Sequence, residues 1–200
     1  MLRSYSTNNS TLQRKTTMAT LKDHSSLKPF DATSLQATKD AWRRTIQNLG
    51  ILNLDYERLL ESIDDHIDYT GGGNGDHLAY GVFKKGEDHA CAIVHVVYTK
   101  KPAPTRGWLK MLELRLAPQY DQTLIVRDSD TMIDVLKIYA AAIGGTFRLQ
   151  AVHASNVVKI YGRNSDLLQL LVSLLPFLQA KGFNAKMEGR WLVIPKQTKK

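Results

Sequence analysis

The chain has 200 residues, of which 43% are hydrophobic, 8% aromatic and 23% charged. This composition supports one hydrophobic core and excludes a collagen, a disulfide-rich scaffold and a mostly disordered protein. The single cysteine, Cys91, has no partner for an internal disulfide, which indicates a reducing compartment such as the cytoplasm. The longest apolar run, residues 167–180, is too short to span a bilayer.

The charge of the chain is positive and unevenly placed. Lysine and arginine number 27 against 19 aspartate and glutamate, a net charge of +8. Residues 55–68 are strongly acidic, whereas residues 100–115 and 181–200 are basic. Basic stretches attract polyanions, which include nucleic acid, phosphorylated cofactors and anionic lipid. The alternative interpretation is a solubilising surface with a basic tail.

Residues 1–30 are predicted to form a disordered, polar and basic leader. No acidic residue precedes Asp23, and this composition is typical of a mitochondrial transit peptide, which makes the matrix the alternative location. Because large apolar residues are scarce there, a disordered leader or an upstream start with Met18 as the initiator is favoured. The sequence then predicts a single domain over residues 31–195 and a basic tail over residues 196–200.

Two helices are predicted at the start of the domain. The first is capped by Asp31 or Ser34 and ends at Gly50, and the second begins at a cap on Asn53. Both have apolar residues at spacings of three and four, with acidic residues on the outer face of the second. Residues 70–75 contain four glycines, which predicts a mobile connection rather than a regular element.

The hydrophobic period then changes from 3.6 to 2, which predicts strands. Three antiparallel strands are expected at residues 78–83, 90–98 and 108–116. A hairpin turn at residues 85–88 joins the first two. In the third strand, Leu112, Leu114 and Leu116 alternate with other side chains, which predicts one dry face carrying these leucines.

The last third of the chain predicts a helix, two strands, a helix and a final strand. The first helix is capped by Asp128 or Asp130 and ends at Gly144. The remaining elements are strands at residues 147–152 and 157–161, a helix from Ser165 or Asp166 to Lys181, and a strand at residues 186–194. Pro176 predicts a kink or an early break in the second helix. The fold class is therefore α+β, with helices packed on a central, mostly antiparallel sheet in the order ααβββαββαβ.

The segment Trp108–Pro118 follows a hairpin and precedes a helix. In this order of elements and in its residue pattern it resembles the central strands of the GNAT superfamily of N-acetyltransferases. The resemblance covers residues 78–194 and implies an acetyltransferase-like domain, which as an enzyme would be an acyl-CoA-dependent N-acyltransferase. In that family a glycine-rich motif at the start of the helix after the fourth strand binds the pyrophosphate of acetyl-CoA. The corresponding residues 122–131 contain no glycine, and Asp128 and Asp130 would repel phosphate. The resemblance therefore implies a divergent domain, with or without acyl-CoA-dependent activity, and leaves the cofactor open.

His153 and Tyr161 are the predicted catalytic residues. His153 follows the predicted strand 147–152, and Tyr161 ends the next strand. If the two strands are neighbours, His153 can act as a general base, and Tyr161 can act as the acid, as in many acetyltransferases. The alternative is a hydrogen-bonded turn histidine. The acceptor site is then expected among residues 71–75, the face of strand 108–116 and these two side chains.

Cys91 is predicted to be a buried thiol rather than a nucleophile. Cys91 and His95 are four residues apart in one strand, so their side chains are expected on the same face. The distance between them along the strand, about 13 Å, is too long for a thiolate-imidazole pair.

An acidic cluster brackets the glycine-rich segment. Its members are Asp64, Asp65, His66, Asp68, Asp76 and His77. Carboxylates and imidazoles suit a divalent cation, but their spacing matches no named site, and a solvated acidic edge is favoured. No metal site is predicted.

Two functions that involve no catalysis remain open. The first is nucleic-acid binding or regulation through a basic C-terminal strand and tail, with Trp191 either exposed for stacking or part of the core. The expected nucleic-acid-binding residues are Arg163, Lys186, Arg190, Lys196, Lys199 and Lys200. The second is an oligomeric interaction protein, because the helix over residues 166–180 is apolar nearly all around and is expected to be either deeply buried or covered by a partner subunit.

Overall fold

The computed structural model of the chain describes residues 25–50, 54–64, 75–100, 107–121, 128–153 and 155–196. The strands in these residues are β1 (Ser25–Pro29), β2 (Gly75–Lys84), β3 (Ala90–Thr99), β4 (Trp108–Leu116), β5 (Val157–Tyr161), β6 (Lys186–Glu188) and β7 (Trp191–Pro195). The α-helices are α1 (Ala32–Asn48), α2 (Leu54–Ser62), α3 (Ser129–Val152) and α4 (Ser165–Ala180). The predicted cap Asn53 and the glycine-rich segment 71–74 lie outside the described residues.

The strands form one sheet in the order β1-β2-β3-β4-β5-β7-β6. Every neighbouring pair is antiparallel except β4 and β5, which are parallel. The predicted α+β class with a mostly antiparallel sheet is therefore confirmed. The parallel pairing joins Trp108 to Val157 and ends where Met111 pairs with Ile160, so the last residues of β4 have no partner on β5.

Helices α1 and α2 pack on one side of the sheet, which we call the α1 face. Asp31 caps α1 as predicted, since its carboxylate accepts the Ser34 N–H at 2.7 Å. Trp42 is fully buried, and its indole Nε1 donates to the Ala90 carbonyl at 2.8 Å. The core on this face contains residues of β2 and β3 and the residue that follows β4, namely Ala79, Phe83, Ala90, Ile93 and Ala117.

Helices α3 and α4 pack on the opposite side, which we call the α3 face. The larger core lies there, and it includes alternate residues of the central strands. Those residues are Val94, Val96, Leu109, Met111, Val158, Ile160, Leu192 and Ile194. The intervening residues of β5, β6 and β7 therefore point to the α1 face, beyond the core that α1 and α2 form with β2, β3 and Ala117.

A strand precedes the first helix, which corrects the predicted element order. Residues of β1 pair antiparallel with β2, from Ser25 opposite Lys84 to Pro29 opposite Tyr80. Leu27 is the one large apolar side chain in β1, and it packs against the larger core. As an edge strand, β1 obtains its hydrogen bonds from β2 alone and is anchored by a single apolar side chain. The sequence of β1 therefore has no alternating hydrophobic pattern that would predict a strand.

The predicted strand 147–152 is wrong, because helix α3 continues through it to Val152. Gly144 and Gly145 lie inside the helix and do not end it. Gly145 and Thr146 are buried, and the Thr146 hydroxyl donates to the Ala142 carbonyl at 2.9 Å. Packing on the sheet outweighs the low helix propensity of two glycines, which amounts to about 1 kcal/mol each.

The C-terminal elements also differ in detail from the prediction. Helix α4 runs past Pro176 to Ala180, so the predicted early break is wrong. The predicted last strand is divided into β6 and β7 by a turn in which Gly189 has a φ of 60°. None of the helices in the described part of the chain is long and apolar enough to cross a membrane.

A bulge in β4 changes which of its residues share a face. His95 pairs with Glu113 and Val96 pairs with Met111, so Leu112 is an extra residue without a partner on β3. Leu109, Met111, Leu114 and Leu116 all reach the larger core as a result. The predicted dry face with Leu112 on it is therefore wrong: Leu112 is half-buried in the bulge, and Met111 takes the buried position.

Candidate functional site

The two predicted catalytic residues lie at different ends of β5. His153 caps the C-terminus of α3, and its ring lies 5.2 Å from that of Tyr98. Tyr161 is the last residue of β5, and its ring lies 4.9 Å from that of Trp191. Four residues of extended strand from Val157 to Tyr161 span about 13 Å. The expected juxtaposition assumed a strand before His153, and the helix there removes it.

Cys91 has the environment of an inert thiol. It is 1% exposed, and its Sγ donates to the Val82 carbonyl at 3.1 Å. Burial raises the pKa of Cys91 to about 12, so the nucleophilic thiolate is not formed near neutral pH. The predicted shared face with His95 is wrong, because a bulge opposite Val82 and Phe83 turns Cys91 toward the larger core, whereas His95 pairs with Ala79 on the α1 face.

The predicted nucleic-acid-binding residues are partly engaged within the chain. The Arg163 guanidinium pairs with Glu113 at 2.5 Å, and Arg190 donates to the carbonyls of Gly162 and Arg163. Lys186 is 61% exposed and pairs with Glu188 at 2.8 Å. Lys196 is exposed and uses its backbone N–H in a bond to Asn156. Lys199 and Lys200 lie outside the described residues.

A pocket of about 250 Å³ opens on the α1 face where β4 and β5 part. Its polar lining is His77, His95, Glu113 and Arg163, beside the bulge residue Leu112. Arg163, which follows β5, crosses the gap to Glu113 of β4 and so ties the two strands together after their pairing has ended. The pocket contains imidazole, carboxylate and guanidinium groups within reach of a small polar ligand.

The N-terminus of α3 does not suit a phosphate. The Asp128 carboxylate accepts the Thr131 N–H at 2.8 Å, and this backbone hydrogen bond lowers the pKa of Asp128 below its usual value. A negative side chain therefore occupies the position at which helix N–H groups would bind an anion, and Asp130 adds a second. The residues present do not fit the pyrophosphate of an acyl-CoA bound at this end of the helix.

Only Asp64 and His77 of the predicted acidic cluster have described side chains, and His77 lines the pocket on the α1 face. Asp64 accepts both of its hydrogen bonds from the Lys39 ammonium, at 2.6 and 2.7 Å. Asp65, His66, Asp68 and the side chain of Asp76 lie outside the described part of the chain. Among the described residues no group of three or more potential metal ligands is found.

Basic and aromatic side chains meet on the α1 face of the C-terminal strands. Lys110 of β4 pairs in register with Lys159 of β5, and both ammonium groups lie over the Trp108 ring, at 5.3 and 4.6 Å from its centroid. Lys186 lies two strands further along the same row, because Val193 pairs with both Lys159 and Lys186. We call Trp108, Lys110, Lys159, Tyr161, Lys186 and Trp191 the basic sheet face.

Comparison with known proteins gives a weak resemblance of fold. Solved structures similar to this chain include a Desulfovibrio desulfuricans protein assigned to the GNAT family of acetyltransferases, with 12% identity, a TM-score of 0.42 and coverage of 86% of this chain and 98% of that chain. An acetyltransferase from Agrobacterium tumefaciens has 11% identity, a TM-score of 0.41 and coverage of 88% and 92%. An acetyltransferase from Streptococcus agalactiae has 7% identity, a TM-score of 0.40 and coverage of 87% and 98%. No protein-family model and no curated protein matches the sequence. Similarity at this level assigns no activity or ligand to the chain.

Sequence reasoning missed Lys110, Lys159 and Trp108 as members of one surface. The available signal was alternation, since Trp108 and Lys110 are two apart in β4 and Lys159 occupies an outward position of β5. Alternation places residues on a face of their own strand only. The row required the parallel pairing of β4 with β5, which joins segments about 50 residues apart.

Proposed function

We propose that this chain is a divergent acetyltransferase-like protein that binds a polyanion on its sheet and does not carry out acyl-CoA-dependent transfer. The observation that carries the proposal is the row of Lys110, Lys159 and Lys186, in which the first two lie on neighbouring strands and Val193 of β7 separates the second from the third. Like charges on neighbouring strands repel, and a bound anion relieves that repulsion. Glu188 partly balances Lys186 and Lys159, at 2.8 and 3.7 Å, while Lys110 has no ion pair with any described residue.

The acetyltransferase alternative is weakened by the N-terminus of α3. Phosphates bind helix N-termini through free N–H groups and the positive end of the helix dipole. Here Asp128 accepts the Thr131 N–H and brings a negative charge to the same place. The role of acyl-CoA therefore has no support from this end of the helix, and polyanion binding is favoured.

The catalytic roles of His153 and Tyr161 remain predictions of that alternative. Each would have to act independently of the other, since they lie at different ends of β5.

The oligomer also remains a prediction. Helix α4 buries Leu167, Leu171 and Leu178 within this chain and leaves Val172 and Phe177 exposed, so a second copy would contact the latter two.

The proposal is tested by thermal unfolding of the full-length protein with heparin, acetyl-CoA or CoA at two salt concentrations. We expect heparin to raise Tm, with a shift that shrinks at high salt, and acetyl-CoA and CoA to leave Tm unchanged. A ligand at one hundred times its Kd stabilises the native state by about 2.7 kcal/mol, which raises Tm by roughly 5–10 °C in a domain of this size. A saturable shift with acetyl-CoA and none with heparin contradicts the proposal and returns attention to His153 and Tyr161.

A further inference from the structure

The polyanion proposed above is identified more closely by the side chains around the lysine row. The basic sheet face lies on the side of the sheet that carries α1 and α2, but the core cluster of those helices contains no residue of β5, β6 or β7. The face is therefore a strand surface on which no described helix packs. Its side chains stand roughly perpendicular to the sheet and define what can bind there.

Contacts with the Trp108 ring restrain the side chains of Lys110 and Lys159. Both Lys110 and Lys159 lie over the ring of Trp108, and the Lys159 side chain is only 21% exposed. Both ammonium groups lie near one indole ring and project from adjacent strands, which are about 4.8 Å apart, so one short stretch of a phosphodiester backbone can contact both. A pair of cations oriented before binding loses less side-chain entropy when an anion arrives.

Aromatic rings lie one step further along the same strands. Tyr161 follows Lys159 by two residues, a rise of about 6.6 Å. Its ring and that of Trp191 are paired across β5 and β7, with centroids 4.9 Å apart and planes inclined at 44°. Both side chains are partly exposed, and the Arg190 guanidinium lies 6.0 Å from the Tyr161 centroid. The face thus offers a stacking surface beside a cationic row.

We infer that the basic sheet face binds single-stranded nucleic acid, with phosphates on Lys110 and Lys159 and bases against Tyr161 and Trp191. The inference rests on the proposed polyanion binding. Single strands are recognised by aromatic rings that stack on unpaired bases and by basic groups that follow the backbone. A duplex hides the faces of its bases, so the paired rings favour a single strand. Heparin and anionic lipid have no bases and do not use the rings.

The test measures fluorescence anisotropy of labelled 15-nucleotide single strands and of the matching duplex, with the full-length protein at several salt concentrations. One double variant, Lys110→Glu with Lys159→Glu, removes the cations. The control, Lys85→Glu with Arg148→Glu, makes the same change in charge at exposed positions outside the basic sheet face. We expect the first variant to lose at least about tenfold in affinity and the control to stay within about threefold. Loss of two phosphate contacts lowers the salt slope by about 1.4.

The rings are tested by a second double variant, Tyr161→Leu with Trp191→Leu, which keeps apolar bulk and removes stacking. We expect it to lose at least about fivefold for the single strand while its retention by heparin stays unchanged. If it unfolds, the single variant Tyr161→Leu replaces it. If the double variant Lys110→Glu with Lys159→Glu unfolds, the milder double variant Lys110→Gln with Lys159→Gln replaces it.

The outcomes separate the inference from the function on which it rests. The inference is supported if both the lysine variant and the ring variant lose affinity for the single strand while the control variant keeps it. Binding of heparin without binding of single strands overturns it and leaves polyanion binding intact, as does equal affinity for single strand and duplex. Unchanged binding in the face variants, with loss on removal of residues 196–200, moves the site to the tail and also overturns it. Absence of binding to heparin and to every oligonucleotide overturns both.

Discussion

Gly145 of α3 lies directly against the side chain of Leu27 of β1, so that a Cβ at residue 145 would overlap Leu27. Gly144 faces open space. This contact allows the long helix to lie close to the edge strand and gives β1 its apolar anchor. Of these two adjacent glycines, Gly145 is needed for packing and Gly144 is not.

We expect Gly145→Ala to destabilise the protein and Gly144→Ala to stabilise it. Alanine raises helix propensity by about 1 kcal/mol at either position. At residue 145 the added methyl must displace Leu27, which costs about 1–3 kcal/mol through overpacking. Urea unfolding of both variants measures the difference. Equal stability of the two would show that α3 does not press on β1.

The ion pair between Lys39 and Asp64 predicts an asymmetry between its two members. The Lys39 side chain is 10% exposed, whereas that of Asp64 is 59% exposed. Asp64→Asn leaves a buried ammonium without its carboxylate, and we expect a loss of about 1–2 kcal/mol, moderated by water near the exposed side. Lys39→Met buries an apolar chain of similar length and should cost less. Denaturant unfolding compares the two, and a larger loss for Lys39→Met would contradict this account.

Asp134 predicts a pH-dependent contribution to stability. Its carboxylate accepts from the Lys84 ammonium at 2.7 Å and from Lys137 at 3.3 Å, and the Lys84 bond lowers the pKa of Asp134 below its usual value of 3.8. Burial alone would lower the pKa of Lys84, but its bonds to Asp134 and Tyr120 raise it above the usual value.

A carboxylate with a lowered pKa stabilises the native state fully above its unfolded pKa, and the contribution is lost as the pH falls below that value. We therefore expect the stability difference between the parent protein and Asp134→Asn to be present at neutral pH and to shrink below about pH 4. Urea unfolding at several pH values measures it. A difference that stays constant down to about pH 2 would contradict the ion pair.

Cys91 should resist alkylation in the native protein. Burial and a pKa of about 12 leave almost no accessible thiolate at pH 8. We expect iodoacetamide to label the protein slowly in buffer and rapidly in denaturing urea, with mass spectrometry as the readout. Comparable labelling in both would show that the β2–β3 hairpin opens readily.

The sequence allowed the helices with clear periodicity and caps to be predicted, among them α1 with its Asp31 cap. These features are local, because a cap and an apolar stripe depend on residues within a few positions of each other. The mostly antiparallel sheet was also predictable, since β2, β3 and β4 have alternating hydrophobic patterns and a short hairpin joins β2 to β3. The cap of α3 on Asp128 was also predictable, again from neighbours in the chain.

The tertiary structure alone decided β1, the continuation of α3 through Gly145, the bulge at Leu112 and the row from Lys110 to Lys159. Each depends on a partner far away in the sequence: β1 on β2, Gly145 on Leu27, and Lys110 on a strand about 50 residues later. Hydrophobic periodicity reports which face of an element is buried, but not which element covers it. The candidate binding face was therefore invisible in the sequence, because it comes into being only when β4 and β5 pair.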